Sequence, residues 1–229
     1  MTKLKELRKY EMKLMQLDQL DKDVIATVKA SFENLPHTEH KDGKYRLRRY
    51  SKIELRTEFW NAAENIRITD LGCSDFKQSS DYNLHQGDLE RKFEGLEEET
   101  LKTEGFKAIC HAFKKNNNLV DGVEVHVHQL RVITLEELNS SAPVAPEGIH
   151  QDGYDYIAMV GIHRSNIIGG ELKAYESKDS PAILTHALKD GQMLFLKDRV
   201  MWHYATDVIK KHKELDQGYG DWFVLCANK

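Results

Sequence analysis

In the first third of the chain the apolar positions recur at helical spacing. Leu4, Leu7, Tyr10, Leu14 and Leu17 share one helix face, and Asp21 opens a second helix through Val24, Ile25, Val28 and Phe32 that Pro36 ends. Asp42-Gly43 marks a turn. Tyr45 to Leu55 then reads as a strand carrying Arg46, Arg48, Tyr50 and Lys52 on one face. Glu94 to Lys115 predicts a third helix, with Phe106, Ile109, Cys110 and Phe113 as its buried stripe and Asn116-Asn117-Asn118 as its stop. From Val123 the period changes to two and β-branched residues take over. Strands are expected at Val123–Thr134, His150–His163, Gly170–Glu176, Gln192–Leu196, Met201–Asp207 and Asp221–Ala227. Short strands divided by Gly, Asn, Asp and Pro suggest an antiparallel barrel or sandwich, with the helices packed outside it.

Length and composition narrow this picture. The 229 residues suit one domain, 1–229, with residues 1–120 a mostly helical flank holding one or more strands and residues 121–229 the β-core. A net charge of −4 argues against nucleic acid as a partner, since that needs a basic face. The longest apolar runs, such as Tyr156 to Ile162, fall far short of the ~20 residues that span a bilayer, so no membrane partner is expected. The charged start of the chain lacks the apolar stretch of a secretory signal. Cys73, Cys110 and Cys226 are odd in number and show no CxxC spacing, which points to a reducing, cytoplasmic location. Dinucleotide, NTP and α/β-hydrolase fingerprints are absent. The oligomeric state stays open.

The candidate chemistry lies in His150-Gln151-Asp152. On a strand, residues two apart share a face, so an imidazole and a carboxylate could hold one ion there. His203, 53 residues downstream, is the best third ligand. Two His and one carboxylate on one face of an octahedron leave three positions open, which suits Fe(II) with O2 and an organic ligand. From spacing alone a plainer reading stands beside it: His150 capping a loop, Asp152 turning with Gly153, and His203 merely packed. Arg46 and Arg48, with Arg49 in the same cluster, either line a pocket and hold a substrate carboxylate or form a solvated strand edge. Tyr154 and Tyr156 are expected beyond Asp152 on the same face, to bond substrate or pack in the core. His126 and His128 alternate with Val on one strand, near the metal or simply packed.

The segment from Pro146 to Tyr156, containing His150-Gln151-Asp152-Gly153, resembles the metal-binding strand of the 2-oxoglutarate/Fe(II) dioxygenase family that includes bacterial L-isoleucine 4-hydroxylase and related free-amino-acid hydroxylases. Asn166-Ile167-Ile168-Gly169-Gly170-Glu171 resembles that family's next turn, and His128-Gln129-Leu130-Arg131 its HQxR strand. Arg46-Leu47-Arg48-Arg49-Tyr50-Ser51 and Tyr82-Asn83 resemble its N-terminal motifs, and His203 with Thr206 its distal ligand strand. The similarity runs from about Tyr45 to Leu225. It implies an α+β fold with a double-stranded β-helix core (jelly-roll, cupin-like) flanked by N-terminal and central helices. It implies His150, Asp152 and His203 as both metal ligands and catalytic centre, Fe(II) as cofactor, O2 and a small molecule as partners, and hydroxylation of a free amino acid or a derivative. Asp152 stands where halogenating relatives carry a small residue, which favours hydroxylation or desaturation over halogenation.

One position departs from the family. An Arg on the last strand normally pairs with the distal carboxylate of 2-oxoglutarate, and Gly220, in Gly218-Tyr219-Gly220-Asp221-Trp222-Phe223, stands where it is expected. Three readings follow. Another cation substitutes, Arg131 first and Lys197 second; or 2-oxoglutarate is not used and the substrate itself chelates iron; or the chain has lost activity. A cupin-like binding protein without turnover is the rival from another class.

Overall fold

The computed structural model describes residues 15–60, 63–73, 76 and 88–229. In chain order the elements are β1 (Met15–Gln19), α1 (Lys22–Ala26), a 3-10 turn at Lys29–Phe32, β2 (Arg46–Trp60), β3 (Ala63–Gly72), α2 (Glu98–Lys102), α3 (Glu104–Asn116), β4 (Val123–Ile133), β5 (Ser141–Ala142), β6 (Tyr156–Ser165), β7 (Ile167–Gly169), β8 (Leu172–Tyr175), β9 (Leu184–His186), β10 (Gln192–Leu196), β11 (Trp202–Ala205), β12 (Val208–Lys210) and β13 (Tyr219–Ala227). A seven-stranded sheet runs β1-β10-β6-β13-β4-β2-β3. Two three-stranded sheets, β11-β8-β9 and β5-β12-β7, lie against it. Neighbouring strands pair antiparallel.

The centre of the large sheet is buried on both faces, which is why β6 and β13 read as nearly continuous apolar runs rather than as strict alternation. On β13, Phe223, Leu225 and Ala227 face the helices, while Trp222, Val224 and Cys226 face the smaller sheets. On β4 the helix side carries Val123, Val125, Val127 and Ile133, and the other side Leu130 and Val132. The helices close the outer face. Thr103 caps α3 by accepting from the Phe106 amide, and Phe106, Ile109, Cys110 and Phe113 form its buried stripe as their spacing predicts. Phe223 is gripped between Phe32 and Phe106, with ring centroids 5.0 and 5.3 Å away. This is the α+β double-stranded β-helix with flanking helices that the resemblance implies.

Several predicted elements take other forms. Leu4 to Leu14 lies outside the described residues, and Leu17 belongs to β1, a strand paired with β10. The predicted helix at Glu94–Lys115 is two helices, divided at Thr103, whose extended backbone ends one and caps the next. The hairpin partner β3 escapes notice because it lies at the sheet edge, mostly exposed. The strand predicted at His150–His163 begins only at Tyr156. No helix is long and apolar enough to cross a membrane among the described residues.

Phe223→Ala removes the ring that ties sheet to helices and should cost about 3–5 kcal/mol in urea unfolding. Leu89→Ala, at an exposed position, should change stability by less than about 0.5 kcal/mol.

Candidate metal centre

His150 and His203 are cross-strand neighbours. Each donates its backbone amide to the other's carbonyl at 2.9 Å, and the imidazole centroids stand 4.3 Å apart. Asp152 joins them from a bend, not from a strand. His150 Nε2 lies 3.6 Å from Asp152 Oδ1, and His203 Nε2 lies 3.5 Å from Asp152 Oδ2. One ligand atom from each residue falls within 4.8 Å of the others. Donors at right angles, each ~2.1 Å from one ion, stand about 3 Å apart, so small side-chain movements close this set on a metal. Two imidazoles and one carboxylate are the donor set of a non-haem Fe(II) site with open positions.

The neighbouring groups prepare those donors. His150 Nδ1 donates to the Gly148 carbonyl at 2.8 Å, so its Nε2 lone pair is left for a metal. Asp198, fully buried, accepts from the backbone amides of Asp152, Gly153 and Tyr154 at 2.9, 2.7 and 3.1 Å, and its Oδ1 lies 3.5 Å from His203 Nδ1. Gly153 takes a φ of +89°, a turn that a side chain would strain, and so allows three successive amides to converge. Burial raises the Asp152 carboxyl, but the adjacent His203 and His150 outweigh it and hold the group well below the usual carboxylate range. Burial likewise lowers His203, and Asp152 more than restores it, so that its value is raised. A divalent ion would replace that shared proton.

The triad opens on a cavity of about 110 Å³, comparable to the ~150 Å³ spaces that take a benzene-sized molecule. Arg46, Arg48 and Arg91 line it, with Glu147, Tyr154 and Trp222. Arg46 Nη1 pairs with Asp42 at 2.6 Å. Arg48 Nη2 donates to His128 Nδ1 at 2.7 Å, and its guanidinium lies over Phe93 and Phe76. Burial, then the charges of Arg46 and Arg91, pull Arg48 down to about 9. Burial and Arg48 push His128 well below its ordinary value, consistent with a neutral acceptor. Tyr154 and Tyr50 both place their hydroxyls on His126 Nδ1, at 2.9 and 2.7 Å.

Other predicted site residues lie elsewhere. Arg131 is on the helix-facing side of β4, where its Nε and Nη2 reach both oxygens of Asp221 and Nη2 also reaches Glu33. Alternation decides this: Leu130 and Val132 turn inward, so Arg131 turns outward. Lys197 is exposed and absent from the cavity wall. Tyr156 packs against the helix-side core, the opposite face from Tyr154, because the bend before β6 breaks the shared register. Arg49 also turns outward, to Glu94 and Glu97. Tyr82-Asn83 lies outside the described residues. Asp42, Arg91, Glu147, Asp198 and Trp222 were not read as site residues from the sequence. Only the buried Asp198, isolated in a polar turn just before His203, offered even a faint signal there.

A family model described as 2OG-Fe dioxygenase matches residues 29–226. The chain belongs to the 2OG-Fe dioxygenase family. With that membership, the triad is the Fe(II) site of an Fe(II)-dependent oxygenase. No curated protein matches. Three solved structures share the family fold. A BsmA homolog from Methylobium petroleophilum PM1 has a TM-score of 0.79 at 20% identity, over 99% of this chain and 93% of its own. IDO from Bacillus thuringiensis has 0.69 at 13%, over 99% and 95%. The Fe(II)/α-ketoglutarate-dependent dioxygenase TqaL has 0.66 at 13%, over 100% and 87%.

His203→Ala should abolish stoichiometric Fe(II) or Mn(II) binding in calorimetry, while Asp198→Ala should weaken it about 10- to 100-fold. Full-affinity binding in His203→Ala would contradict the site. His128 sets a pH dependence. Its folded value lies below the unfolded ~6.5, so the unfolded chain takes the proton first, and stability is lost as pH falls below about 6.5. The slope from this group is at most about 1.4 kcal/mol per pH unit. His203, raised in the fold, acts in the opposite direction. Urea midpoints from pH 8 to 5 should therefore fall less steeply in His128→Asn than in the parent chain.

Proposed function

We propose that the protein oxidises, most simply by hydroxylation, a free amino acid or a small amino-acid derivative with O2, using 2-oxoglutarate as co-substrate. The observation that carries this reading is the small pocket that the His150–Asp152–His203 triad shares with Arg46, Arg48 and Arg91 and with Tyr154. Fe(II), when bound there, supplies the activation of O2. The chain's own residues do the rest. His150 and His203 offer Nε2 atoms on one side of the ion's place, and Asp152 offers a carboxylate already ionised at neutral pH. Apolar walls from Leu130, Leu172 and Val224 exclude water, while Arg46, Arg48 and Tyr154 orient a polar substrate. A pocket of about 110 Å³ suits a group the size of a small metabolite, which supports a small-molecule substrate. The resemblance of the motifs to free-amino-acid hydroxylases supports the amino-acid class. Unbridged Cys110 and Cys226, both buried, support a reducing, cytoplasmic compartment.

A second reading has a specific observation behind it. Trp222 folds over Gly220, so the last strand presents an indole where the family's guanidinium is expected. A substrate that itself chelates the metal, with no 2-oxoglutarate, would suit that change.

Oxygen consumption by the Fe(II)-loaded protein, with a panel of amino acids, separates the two. The first reading expects uptake only when 2-oxoglutarate is present, together with a product 16 mass units heavier than its amino acid. Uptake independent of 2-oxoglutarate supports the second. No uptake with any panel member, with iron bound, contradicts the amino-acid class.

A further inference from the structure

We propose that the carboxylate anchor of this pocket stands on β2 instead of the last strand: Arg48, with Arg91 beside it, takes a carboxylate of the organic ligand. This rests on the reading of the cavity as an oxygenase site.

The last strand has no room for an anchor. Gly220 lies on the pocket face of β13, two residues before Trp222, and a Cβ built on it would run into the indole at Cη2, Cζ3 and Cζ2. The ring occupies the space that a longer side chain would cross. The strand register shows where a cation can enter the same volume. Val132 is flanked by Gly220 on one side and Arg46 on the other; Leu130 is flanked by Trp222 and Arg48. Arg48 therefore stands in the same cross-strand row as Trp222, two strands away and on the same face. At ~4.8 Å per strand this is about 10 Å, much of which an arginine side chain spans.

Arg48 is also the guanidinium with charge to spare. Arg46 is held by Asp42. Arg48 is half-buried, its Nε is shut off from solvent without a partner, and the hydrogen bond its guanidinium makes goes to His128 Nδ1. The Nε of Arg91 likewise has no partner, and Arg91 lies over Phe76, which Arg48 also covers. Among the described residues no carboxylate oxygen lies within 4.0 Å of either guanidinium. A buried cation without a counter-ion is unfavourable, and an entering carboxylate relieves it. Arg164, the cross-strand partner of Gly220, is the other candidate. Its Nη1 is also buried without a partner, but its Nη2 donates to the Gly169 carbonyl and it is not part of the cavity wall.

The carboxylate could belong to 2-oxoglutarate or to the substrate, and matched probes tell them apart. Mn(II)-loaded protein is titrated by calorimetry with 2-oxoglutarate and with 2-oxopentanoate, which carries a methyl in place of the distal carboxylate. It is then titrated with a panel of L-amino acids and with their amides. The parent chain should favour the carboxylate-bearing member in at least one comparison by about 30-fold or more, and that comparison names the source. Arg48→Leu should reduce this preference to near unity without loss of Mn(II) binding, Arg48→Lys should keep part of it, and Arg91→Leu should lower it. A preference that survives Arg48→Leu intact, or no preference in either comparison, would overturn the proposal. Failure of the parent chain to bind Mn(II) counts instead against the oxygenase reading. The same titrations on metal-free protein then decide the anchor.

Discussion

A single carboxylate governs the geometry of this protein's centre. Asp198 accepts from three successive amides of the bend at Asp152, Gly153 and Tyr154, and faces His203 Nδ1 as well. Asp198 gives all three amides a single acceptor in a half-buried bend. By gathering them, Asp198 turns the chain so that Asp152 points back at the two imidazoles instead of continuing along a strand. The paired backbones of His150 and His203 supply the second constraint, since a mutual bridge fixes the two side chains' points of departure next to each other. The metal-binding set is preorganised by these two features, and the jelly-roll around it serves to hold them in register.

The same sheet divides the molecule's electrostatics. Residues of β2, β4 and β13 alternate between a helix-facing side and a pocket side. On the helix side every cation has its carboxylate: Arg49 has Glu94 and Glu97, and Arg131 has Asp221 and Glu33. On the pocket side Arg48 leans on aromatic rings and on a neutral histidine. Satisfied pairs on one face and an uncompensated cation on the other is the pattern expected when the first set holds the fold and the second waits for a ligand.

Much of this was legible in residue order, and the exceptions have physical causes. His150, Asp152 and His203 were identifiable because a metal site needs few residue types at restricted spacing. Yet the reason first offered, alternation along a strand, does not apply, because Asp152 sits in a bend that only Asp198 explains. Strand parity, read correctly for Arg46 and Arg48, would also have excluded Arg131, which is one residue out of phase with the pocket-lining Leu130. Tyr156 was misplaced for the same cause as Asp152: the bend resets the phase before β6 begins. Asp42, Arg91 and Glu147 lie on loops, where no period announces which way a side chain turns. The contact of Trp222 with Gly220 emerges only when both residues are seen on one face.

The most direct test of the account is a crystal of the protein grown anaerobically with Fe(II), with anomalous scattering recorded at the iron edge. The account predicts one iron, bound by Nε2 of His150, Nε2 of His203 and a carboxylate oxygen of Asp152, with the Asp198 hydrogen bonds to the bend intact. An iron held by Glu147 in place of Asp152, or one located away from the three residues, would contradict it.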